Sequence, residues 1–455
     1  MTETTERQAT AKRVVIVGGG FVGLNAAKKL AGIDGVDVII IDRRNHHLFQ
    51  PLLYQVAMAG LSPADIAAPI RSILSGTRNL SVLQGEVTAV DLDAQQLQTE
   101  CGTLAFDYLL LACGARHAYF GHPEWEEHAP GLKTLEQATE IRRRVLSAFE
   151  EAERNDDPLE RRRQLTFIIV GGGPTGVELA GAIGEMTRFT LARDFRNIDA
   201  RLARIILIEA GPRILPMFSS QQSGRAVRDL EALGVQVWTS SMVTRIDGDG
   251  VDVADERIRA ATVLWAAGVE ASALGRAAGL EVDRQQRVHV QPDLSVAGHP
   301  NVFVAGDMAH CVGADGKALP GTAPVAMQQG RYVAATILAD LRGDAPPRTP
   351  FAFHDKGQMA TIGRSRAILE SGRMKLGGWF AWVAWLVVHV YYLTGFRNRL
   401  FVVLQWAWSY LTFRRGARLI VSKEWRLHPA AAKPPETAAE RPAAAIAARS
   451  EGTPS

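Results

Sequence analysis

Two sets of three glycines carry the clearest chemistry in this sequence. They form the pattern G-x-G-x-x-G twice, once at Gly18, Gly20 and Gly23 and again at Gly171, Gly173 and Gly176. In this pattern the first glycine makes a tight turn, the second lets backbone approach a pyrophosphate, and the third lets a helix pack on a strand. The N-terminus of that helix then faces the phosphate charge. The two patterns therefore predict two dinucleotide sites.

A carboxylate follows each glycine pattern at the end of a second apolar segment. Asp42 lies 19 residues after Gly23, a spacing at which a carboxylate can bond a ribose hydroxyl. Glu209 lies 33 residues after Gly176, which is longer than usual. Because its charge would repel a 2′-phosphate, Glu209 favours NADH over NADPH, although the nearby Arg213 keeps NADPH as an alternative.

Each glycine pattern needs a strand, a helix and a second strand to position it. We predict the first set at Val14 to Val17, Phe21 to Leu30 and Val36 to Ile41, and the second at Leu165 to Val170, Val177 to Ile183 and Arg204 to Ile208. Apolar β-branched runs alternate with helical spacing in both, which is typical of an α/β fold with parallel sheets. The expected architecture is two Rossmann-like dinucleotide-binding domains. The alternative, a glycine turn without a ligand, remains for either copy.

A later strand and helix extend the first predicted site. The strand from Val302 ends in Gly306 and Asp307, whose carboxylate can bond the sugar-alcohol chain of a flavin. The helix from Ala323 to Leu338 would direct its positive N-terminus at the flavin. The first site is therefore expected to hold FAD, and the second exchangeable NADH.

Length, charge and cysteine usage narrow the class of protein. With 455 residues, two or three domains are expected. The net charge of +3 argues against a nucleic-acid binder, but residues 364–426 carry eleven Lys/Arg against two Glu, which suggests an anionic lipid surface as partner. The three cysteines show no metal-ligand spacing, and His46 and His47 alone do not make a metal site. The polar first twelve residues contain no signal peptide, so we expect the body to face the cytoplasm.

The segment from Leu376 to Phe413 is apolar and aromatic. Six of the nine tryptophans lie between Trp379 and Trp425. The predicted helices Trp379 to Leu393 and Leu400 to Phe413 are both shorter than a bilayer core of roughly 30 Å requires. Arginines lie before, between and after them, so an in-plane hairpin keeps every cation at one headgroup layer. We therefore predict peripheral, monotopic membrane attachment. A buried dimer interface or a core hairpin is the first alternative, and a true membrane span is the second.

The sequence resembles the type II, non-proton-pumping NADH:quinone oxidoreductases, within the two-dinucleotide-binding-domain flavoproteins. The similarity rests on His47 to Ala57 (HLFQPLLYQVA), Gly171 to Gly181 (GGGPTGVELAG), Trp265 to Val269, Val304 to His310, Ala323 to Gly330 and Asp355 to Ala360. It implies non-covalent FAD, NADH as substrate, a membrane quinone as acceptor, and a homodimer. One departure is Pro324, which replaces the usual glutamine of the A-Q-x-A motif and puts the role of that position in doubt.

The resemblance also implies functions for particular residues. Glu178 would lie beside flavin and nicotinamide, Lys356 near that glutamate, and Gln328 and Gln329 on the quinone side. The alternatives are a helix-end carboxylate, a surface charge and ordinary polar helix positions. The remaining cofactor-binding residues that we predict are Gly18, Gly20, Phe21, Val22, Gly23, Asp42, Arg43, Gln50, Val87, Ala112, Gly171, Gly173, Pro174, Thr175, Gly176, Glu209, Ala267, Gly268, Gly306, Asp307 and Val325.

These motifs predict a domain organisation in which the FAD-binding domain consists of two segments of the chain. We expect a disordered start (1–12), FAD binding (13–150 and 276–345), NADH binding (151–275), a membrane-anchoring region (346–428) and a disordered tail (429–455). One rival activity is a sulfide:quinone oxidoreductase, which needs paired reactive cysteines that Cys101, Cys113 and Cys311 do not suggest. Another is a flavoprotein that signals through NADH binding without catalysis.

Overall fold

The computed structural model describes residues 11–100, 102–343, 347–393, 396–412 and 417–421. Apart from Ile420 and Val421, these residues form one compact unit. The tail predicted to be disordered, and nearly all of the predicted disordered start, lie outside the described residues.

The first glycine pattern lies in a βαβ unit, as predicted. Its elements are β1 (Lys12–Val17), α1 (Phe21–Leu30) and β2 (Val36–Asp42), and the two strands are parallel, with Val14 opposite Val38. The centre of β1 is fully buried, because Val14 and Ile16 pack with residues of α1 on one face of the sheet and Val15 and Val17 pack with strand residues such as Val87 and Leu97 on the other. The following elements are β3 (His46–Leu48), a 3₁₀ turn (Gln50–Leu52), α2 (Leu53–Ala57), α3 (Pro63–Ile66), β4 (Ala67–Pro69), α4 (Ile70–Ile73), β5 (Leu80–Gln84), β6 (Val87–Asp91), β7 (Gln96–Thr99), β8 (Gly102–Ala105) and β9 (Tyr108–Leu111).

The second glycine pattern opens the same arrangement again. Its elements and their flanks are β10 (Ala115–His117), α5 (Trp125–His128), α6 (Leu135–Arg154), α7 (Pro158–Gln164), β11 (Thr166–Val170), α8 (Pro174–Glu185), a π-helical turn (Met186–Thr190), a 3₁₀ turn (Ala200–Leu202), β12 (Arg204–Ile208), α9 (Ser220–Ala232), β13 (Val235–Trp238), β14 (Val243–Asp247), β15 (Gly250–Val253), β16 (Glu256–Arg259), β17 (Thr262–Trp265) and β18 (Val269–Ala271). The parallel sheet has the order β13-β12-β11-β17. β10 and β18 pair antiparallel where the chain enters and leaves this unit.

The chain then returns to the first sheet. The elements are α10 (Leu274–Ala277), β19 (Val288–His289), β20 (Ser295–Val296), β21 (His299–Val304), a 3₁₀ turn (Gly306–Met308), β22 (Ala309–His310) and α11 (Ala323–Leu341). The first sheet has the order β20-β21-β9-β1-β2-β5, so it combines strands from two distant segments. This composition is compatible with a divided first domain, but the domain limits themselves stay a prediction.

The last part is a small sheet followed by two aromatic helices. Its elements are β23 (Gln358–Thr361), β24 (Ala367–Ser371), β25 (Met374–Gly378), α12 (Trp379–Tyr392) and α13 (Phe396–Thr412). The second helix begins at Phe396, four residues before its predicted start, because Arg397 and Arg399 continue the helix instead of forming the connection. None of the helices in the described ranges is both long and apolar enough to cross a bilayer.

Candidate functional site

The two glycine turns have nearly the same backbone geometry. Gly18 has φ +110° and Gly171 has φ +107°, a conformation that other residues rarely adopt. A Cβ on Gly23 would lie 1.9 Å from the Gly18 carbonyl oxygen, and a Cβ on Gly176 would lie 1.9 Å from the Gly171 carbonyl oxygen. The first and third positions of both patterns therefore require glycine for the fold itself.

The middle glycines have a different surrounding. Gly20 and Gly173 are the N-caps of α1 and α8, and no side chain caps either helix. A Cβ on either residue would meet no protein atom within 4 Å. Each turn thus leaves open space beside uncapped backbone N–H groups, which fits a pyrophosphate.

A carboxylate supports each glycine turn from the neighbouring strand. Asp42 Oδ2 accepts the N–H of Gly19 at 2.6 Å, and Glu209 Oε2 accepts the N–H of Gly172 at 2.6 Å. The other oxygen of each carboxylate accepts the N–H two residues further along the chain at 2.7 Å. Each carboxylate is thereby oriented at the end of its strand, and a carboxylate oxygen keeps a second lone pair for a ribose hydroxyl.

The Gly306–Asp307 turn lies beside the first glycine pattern. Gln329 on α11 accepts the N–H of Gly306 at 2.7 Å, and a Cβ on Gly306 would lie 2.7 Å from the Val22 side chain. Asp307 pairs with Lys133 at 3.3 Å. Gln329, which was predicted on the quinone side, thus supports the turn that carries Asp307. Lys133 was missed, because no local signal shows which distant acid a lysine meets.

The start of α11 explains the unusual Pro324. Proline stands in the first turn of the helix, where a backbone N–H has no partner within the helix. Val325, in the same turn, is 3% exposed. Pro324 therefore leaves the start of α11 intact, while its lost amide side chain still separates this position from the usual motif.

Glu178 lies on α8 and has two neighbours from distant segments. Burial raises the pKa of its carboxyl to about 8, although a hydrogen bond from the Thr361 backbone opposes this shift. Burial also raises the pKa of Tyr54, and the charge of Glu178 adds to that effect. The Tyr54 hydroxyl lies 3.0 Å from Thr361 Oγ1. Near pH 7 Glu178 is therefore mostly a neutral acid that can hold or release a proton.

Two other predicted site residues have partners elsewhere. Lys356 Nζ donates to the Tyr392 hydroxyl at 3.3 Å. Among the described residues, Lys356 forms no ion pair with Glu178, whose carboxyl is influenced by burial and by the Thr361 backbone. Gln328 donates to the carbonyl of His354 and accepts its N–H, both at 3.0 Å. Their predicted catalytic roles stay predictions. In this structure their hydrogen bonds hold the segment before β23 against α11 and α12.

The remaining predicted cofactor residues fall into three groups. Ala112, Ala267 and Gly268 follow sheet strands at the level of the glycine turns; a Cβ on Gly18 would lie 2.3 Å from the Ala112 carbonyl oxygen, and one on Gly171 would lie 2.6 Å from Ala267 Cα. Phe21, Val22, Pro174 and Thr175 lie in the first turns of α1 and α8. Arg43 pairs with Glu86 at 3.5 Å, Gln50 donates to the Lys133 carbonyl at 3.4 Å, and Val87 is buried in the core.

The aromatic hairpin formed by α12 and α13 packs on the body through one face. Trp385 is 2% exposed, and Trp406 donates its indole N–H to Gln55 at 2.7 Å. Gln55 in turn donates to the Tyr54 hydroxyl at 3.0 Å. A cavity of about 80 Å³ lies at this contact, lined by Tyr54, Gln55, Glu185, Trp382, Trp385 and Trp406, among others. The hydrogen bonds therefore connect the hairpin to the surroundings of Glu178.

The opposite face of the hairpin is apolar and exposed. Trp379 is 52% exposed, Phe380 71%, Tyr391 67% and Leu404 56%. Large apolar side chains at such exposure mark a surface that interacts with a membrane or another protein.

The described cysteines lack the properties of a reactive thiol. Burial raises the pKa of Cys113 to about 12, and it also raises the pKa of Cys311. Thiolates are the reactive form, so both are poor nucleophiles near pH 7. Cys101 lies outside the described residues.

Comparison with known proteins identifies the family. Residues 12–330 match the pyridine nucleotide-disulphide oxidoreductases, and residues 355–415 match the NDH2 C-terminal domain. The chain is 45% identical to the type II NADH:quinone oxidoreductase Ndh of Mycobacterium tuberculosis over 436 residues, which cover 93% of each chain. It is also 45% identical to NdhA of the same organism over 427 residues, which cover 90% of each chain.

A solved structure has the same fold. NDH2 from Plasmodium falciparum in complex with NADH superposes with a TM-score of 0.82 at 20% identity, covering 90% of this chain and all of that one. The paired glycine turns, the matched domains and the similarity over nearly the whole chain place this protein in the type II NADH:quinone oxidoreductase family.

Proposed function

We propose that this protein oxidises NADH and reduces a membrane quinone to quinol through bound FAD, without pumping protons. The observation that supports it best is the repeated glycine turn, in which the fold-critical glycines are kept and the middle glycine faces open space. Two such turns provide for one resident and one exchangeable dinucleotide. The curated relatives that cover 90% or more of this chain are named for the same reaction.

Residues of the first unit are suited to hold FAD. The Gly20 turn would receive the pyrophosphate, Asp42 an adenosine ribose hydroxyl, and Asp307 the sugar-alcohol chain. The uncapped N-terminus of α11 supplies partial positive charge on the same side. A bound flavin supplies the two-electron redox chemistry that joins NADH oxidation to quinone reduction.

Residues of the second unit are suited to hold NADH. The Gly173 turn would receive its pyrophosphate, and Glu209 the 2′-hydroxyl of its adenosine ribose. β12 and β17 lie on opposite sides of β11, so an adenosine half at Glu209 directs the nicotinamide half toward Ala267 and Gly268.

Glu178 is the residue best suited to supply a proton during quinone reduction. A quinone takes up two protons as it becomes quinol, and a carboxyl with a pKa of about 8 is mostly protonated near neutral pH. The linked side chains of Tyr54, Gln55 and Trp406 extend from this region to the hairpin. We infer that quinone approaches from the hairpin side, where the cavity lies.

The exposed face of the hairpin is proposed as the membrane contact, at the cytoplasmic face and without a span. Aromatic side chains are favoured at the interface between water and lipid; Arg373 and Lys375 precede α12, and Arg397 and Arg399 lie in the first turn of α13. The homodimer is likewise a proposal, which rests on the family resemblance, and the domain limits are a proposal that rests on the order of the strands and helices along the chain.

Purified FAD-loaded protein should oxidise NADH in the presence of a short-chain quinone and should use NADPH far less well. Glu209 is the reason, because its charge repels a 2′-phosphate. Glu209→Gln should narrow the preference for NADH over NADPH by about tenfold, measured as the ratio of kcat/KM values. The exposed Glu231→Gln on α9 is the matched control. Absence of quinone-dependent NADH oxidation would refute the function, and equal use of both nucleotides by the natural protein would refute the role of Glu209.

Membrane binding should depend on the exposed aromatic face of the hairpin. Phe380→Asp combined with Leu404→Asp should weaken binding to phosphatidylglycerol–phosphatidylcholine vesicles by about a hundredfold or more, because two large apolar side chains lose their transfer to lipid. Cosedimentation measures this loss. Leu202→Asp is the control, since Leu202 is 76% exposed on another part of the protein. Unchanged binding of the double variant would show that the membrane contact lies elsewhere.

A further inference from the structure

Phe120 has an unusual combination of exposure and backbone conformation. Its side chain is 67% exposed, and its φ is +51°. The left-handed region is strained for a residue with a bulky side chain, and glycine or asparagine would avoid much of this strain. Neither property stabilises the folded chain, which suggests that the ring has a partner other than this protein.

The segment that carries Phe120 is held firmly by its neighbours. Trp265 donates its indole N–H to the Ala118 carbonyl at 3.1 Å, and the rings of Trp265 and Tyr119 stack at 5.0 Å. Ala118 also donates its N–H to the Gly268 carbonyl at 3.2 Å. The direction of the Phe120 ring is therefore set by packed structure.

The ring lies on Gly268, at the end of β17. A Cβ on Gly268 would lie only 2.5 Å from Phe120 Cζ, and the ring centroid is 6.0 Å from that of Trp265. Gly268 therefore allows the ring to approach the backbone that follows the strand.

The sheet order shows which half of a dinucleotide comes near this ring. Glu209 ends β12 on one side of the Gly171 turn, whereas Gly268 follows β17 on the other side. If the adenosine ribose binds Glu209 and the pyrophosphate binds the turn, the nicotinamide half extends toward Gly268. An exposed aromatic ring at that end can pack against a flat ring and exclude water from it.

We propose that Phe120 packs against the nicotinamide half of NADH and orients it for hydride transfer. The strained backbone holds the ring above the end of β17 before the substrate arrives, so less freedom is lost on binding. This inference rests on the proposed function, because it takes NADH as the ligand of the second unit. It adds a substrate-contacting residue that comes from outside the βαβ unit of the second glycine pattern.

Two ligands separate a nicotinamide contact from a general effect on the site. ADP-ribose keeps the adenosine, the pyrophosphate and the second ribose of NAD⁺ but lacks nicotinamide. In titration calorimetry of FAD-loaded protein, Phe120→Ala should weaken NAD⁺ binding by about tenfold and change ADP-ribose binding by less than about twofold. Phe120→Tyr keeps the ring and should bind both ligands as the natural protein does.

A third variant separates the ring from the backbone strain. Phe120→Gly relieves the strained φ and should raise the melting temperature, yet it should weaken NAD⁺ binding as much as Phe120→Ala. If Phe120→Ala lost FAD, Phe120→Leu would be compared with Phe120→Tyr in the same titrations. Equal weakening of NAD⁺ and ADP-ribose, or no weakening of NAD⁺, would overturn the proposal. A natural protein that binds NAD⁺ but reduces no quinone would instead refute the proposed function and leave the comparison of variants valid.

Discussion

Glu178→Gln is expected to lower NADH:quinone turnover about a hundredfold, the scale of a lost general acid. Glutamine preserves the size and polarity of the side chain but cannot release a proton to the quinone. FAD content and the NADH KM should stay close to those of the natural protein, because the substitution leaves both glycine turns intact. The measurement is steady-state turnover with a short-chain quinone, alongside the flavin-to-protein absorbance ratio. Glu231→Gln again serves as the control.

The pH dependence of turnover follows from the direction of the pKa shift. The Glu178 carboxyl has a raised pKa of about 8, so its protonated form decreases as the pH rises through that value. Turnover of the natural protein should therefore fall above about pH 8, whereas the residual turnover of Glu178→Gln should not follow this profile. A variant that keeps full activity, or the same pH profile, would show that Glu178 does not supply the proton.

The same shift predicts the sign of a stability effect. The ordinary pKa of a glutamate is 4.5, so between that value and about 8 the folded state binds more protons than the unfolded state. The contribution of Glu178 to stability is thus fully present below about pH 4.5 and is lost as the pH rises through about 8. Glutamine stays neutral at every pH. The melting temperature of Glu178→Gln should therefore be higher than that of the natural protein at pH 9 but not at pH 4.

Gly173→Val is expected to raise the NADH KM by about a hundredfold without a loss of FAD or of thermal stability. A valine side chain would enter the open space beside α8 that the pyrophosphate is expected to occupy. The φ of Gly173 is −72°, which valine adopts without strain, and no protein atom lies within 4 Å of an added Cβ. Gly20→Val should instead lower the FAD content. It should leave NADH binding at the second glycine turn unchanged. NADH titrations, flavin absorbance and thermal melting distinguish the two results.

Gly176→Ala is the comparison that shows why position within the pattern matters. Its Cβ would lie 1.9 Å from the Gly171 carbonyl oxygen. Although alanine is smaller than valine, this substitution should therefore lower the melting temperature and disrupt the second βαβ unit. If Gly173→Val bound NADH normally, the second turn would not be the nucleotide site. If it unfolded the protein as Gly176→Ala is expected to, the space beside α8 would not be reserved for a ligand.

Glu209→Gln and the hairpin variants test other parts of the same site, but their expected effects are smaller or concern membrane binding alone. The Phe120 variants act on the nicotinamide half of the substrate, at the other end of the nucleotide from Glu209. Together these variants test the proposed contacts with both halves of NADH and with the membrane.

The two βαβ units, their glycine turns and the carboxylates at the strand ends follow from the amino-acid sequence alone. These features depend on neighbours in the chain: a tight turn excludes a Cβ, and a buried parallel strand needs a short apolar run. For that reason the residue pattern is enough to assign Gly18 to Asp42 and Gly171 to Glu209, and the family matches agree with that assignment.

Tertiary packing, in contrast, determines which side chains meet across the molecule. It brings Lys133 to Asp307, Gln329 to Gly306, Tyr54 to Thr361 beside Glu178, and the Phe120 ring to Gly268. It also gives Lys356 and Gln328 partners other than those expected. Such contacts depend on how helices and sheets far apart in sequence pack together. The residues next to a side chain in the chain do not determine that packing, so the local pattern cannot predict the contact.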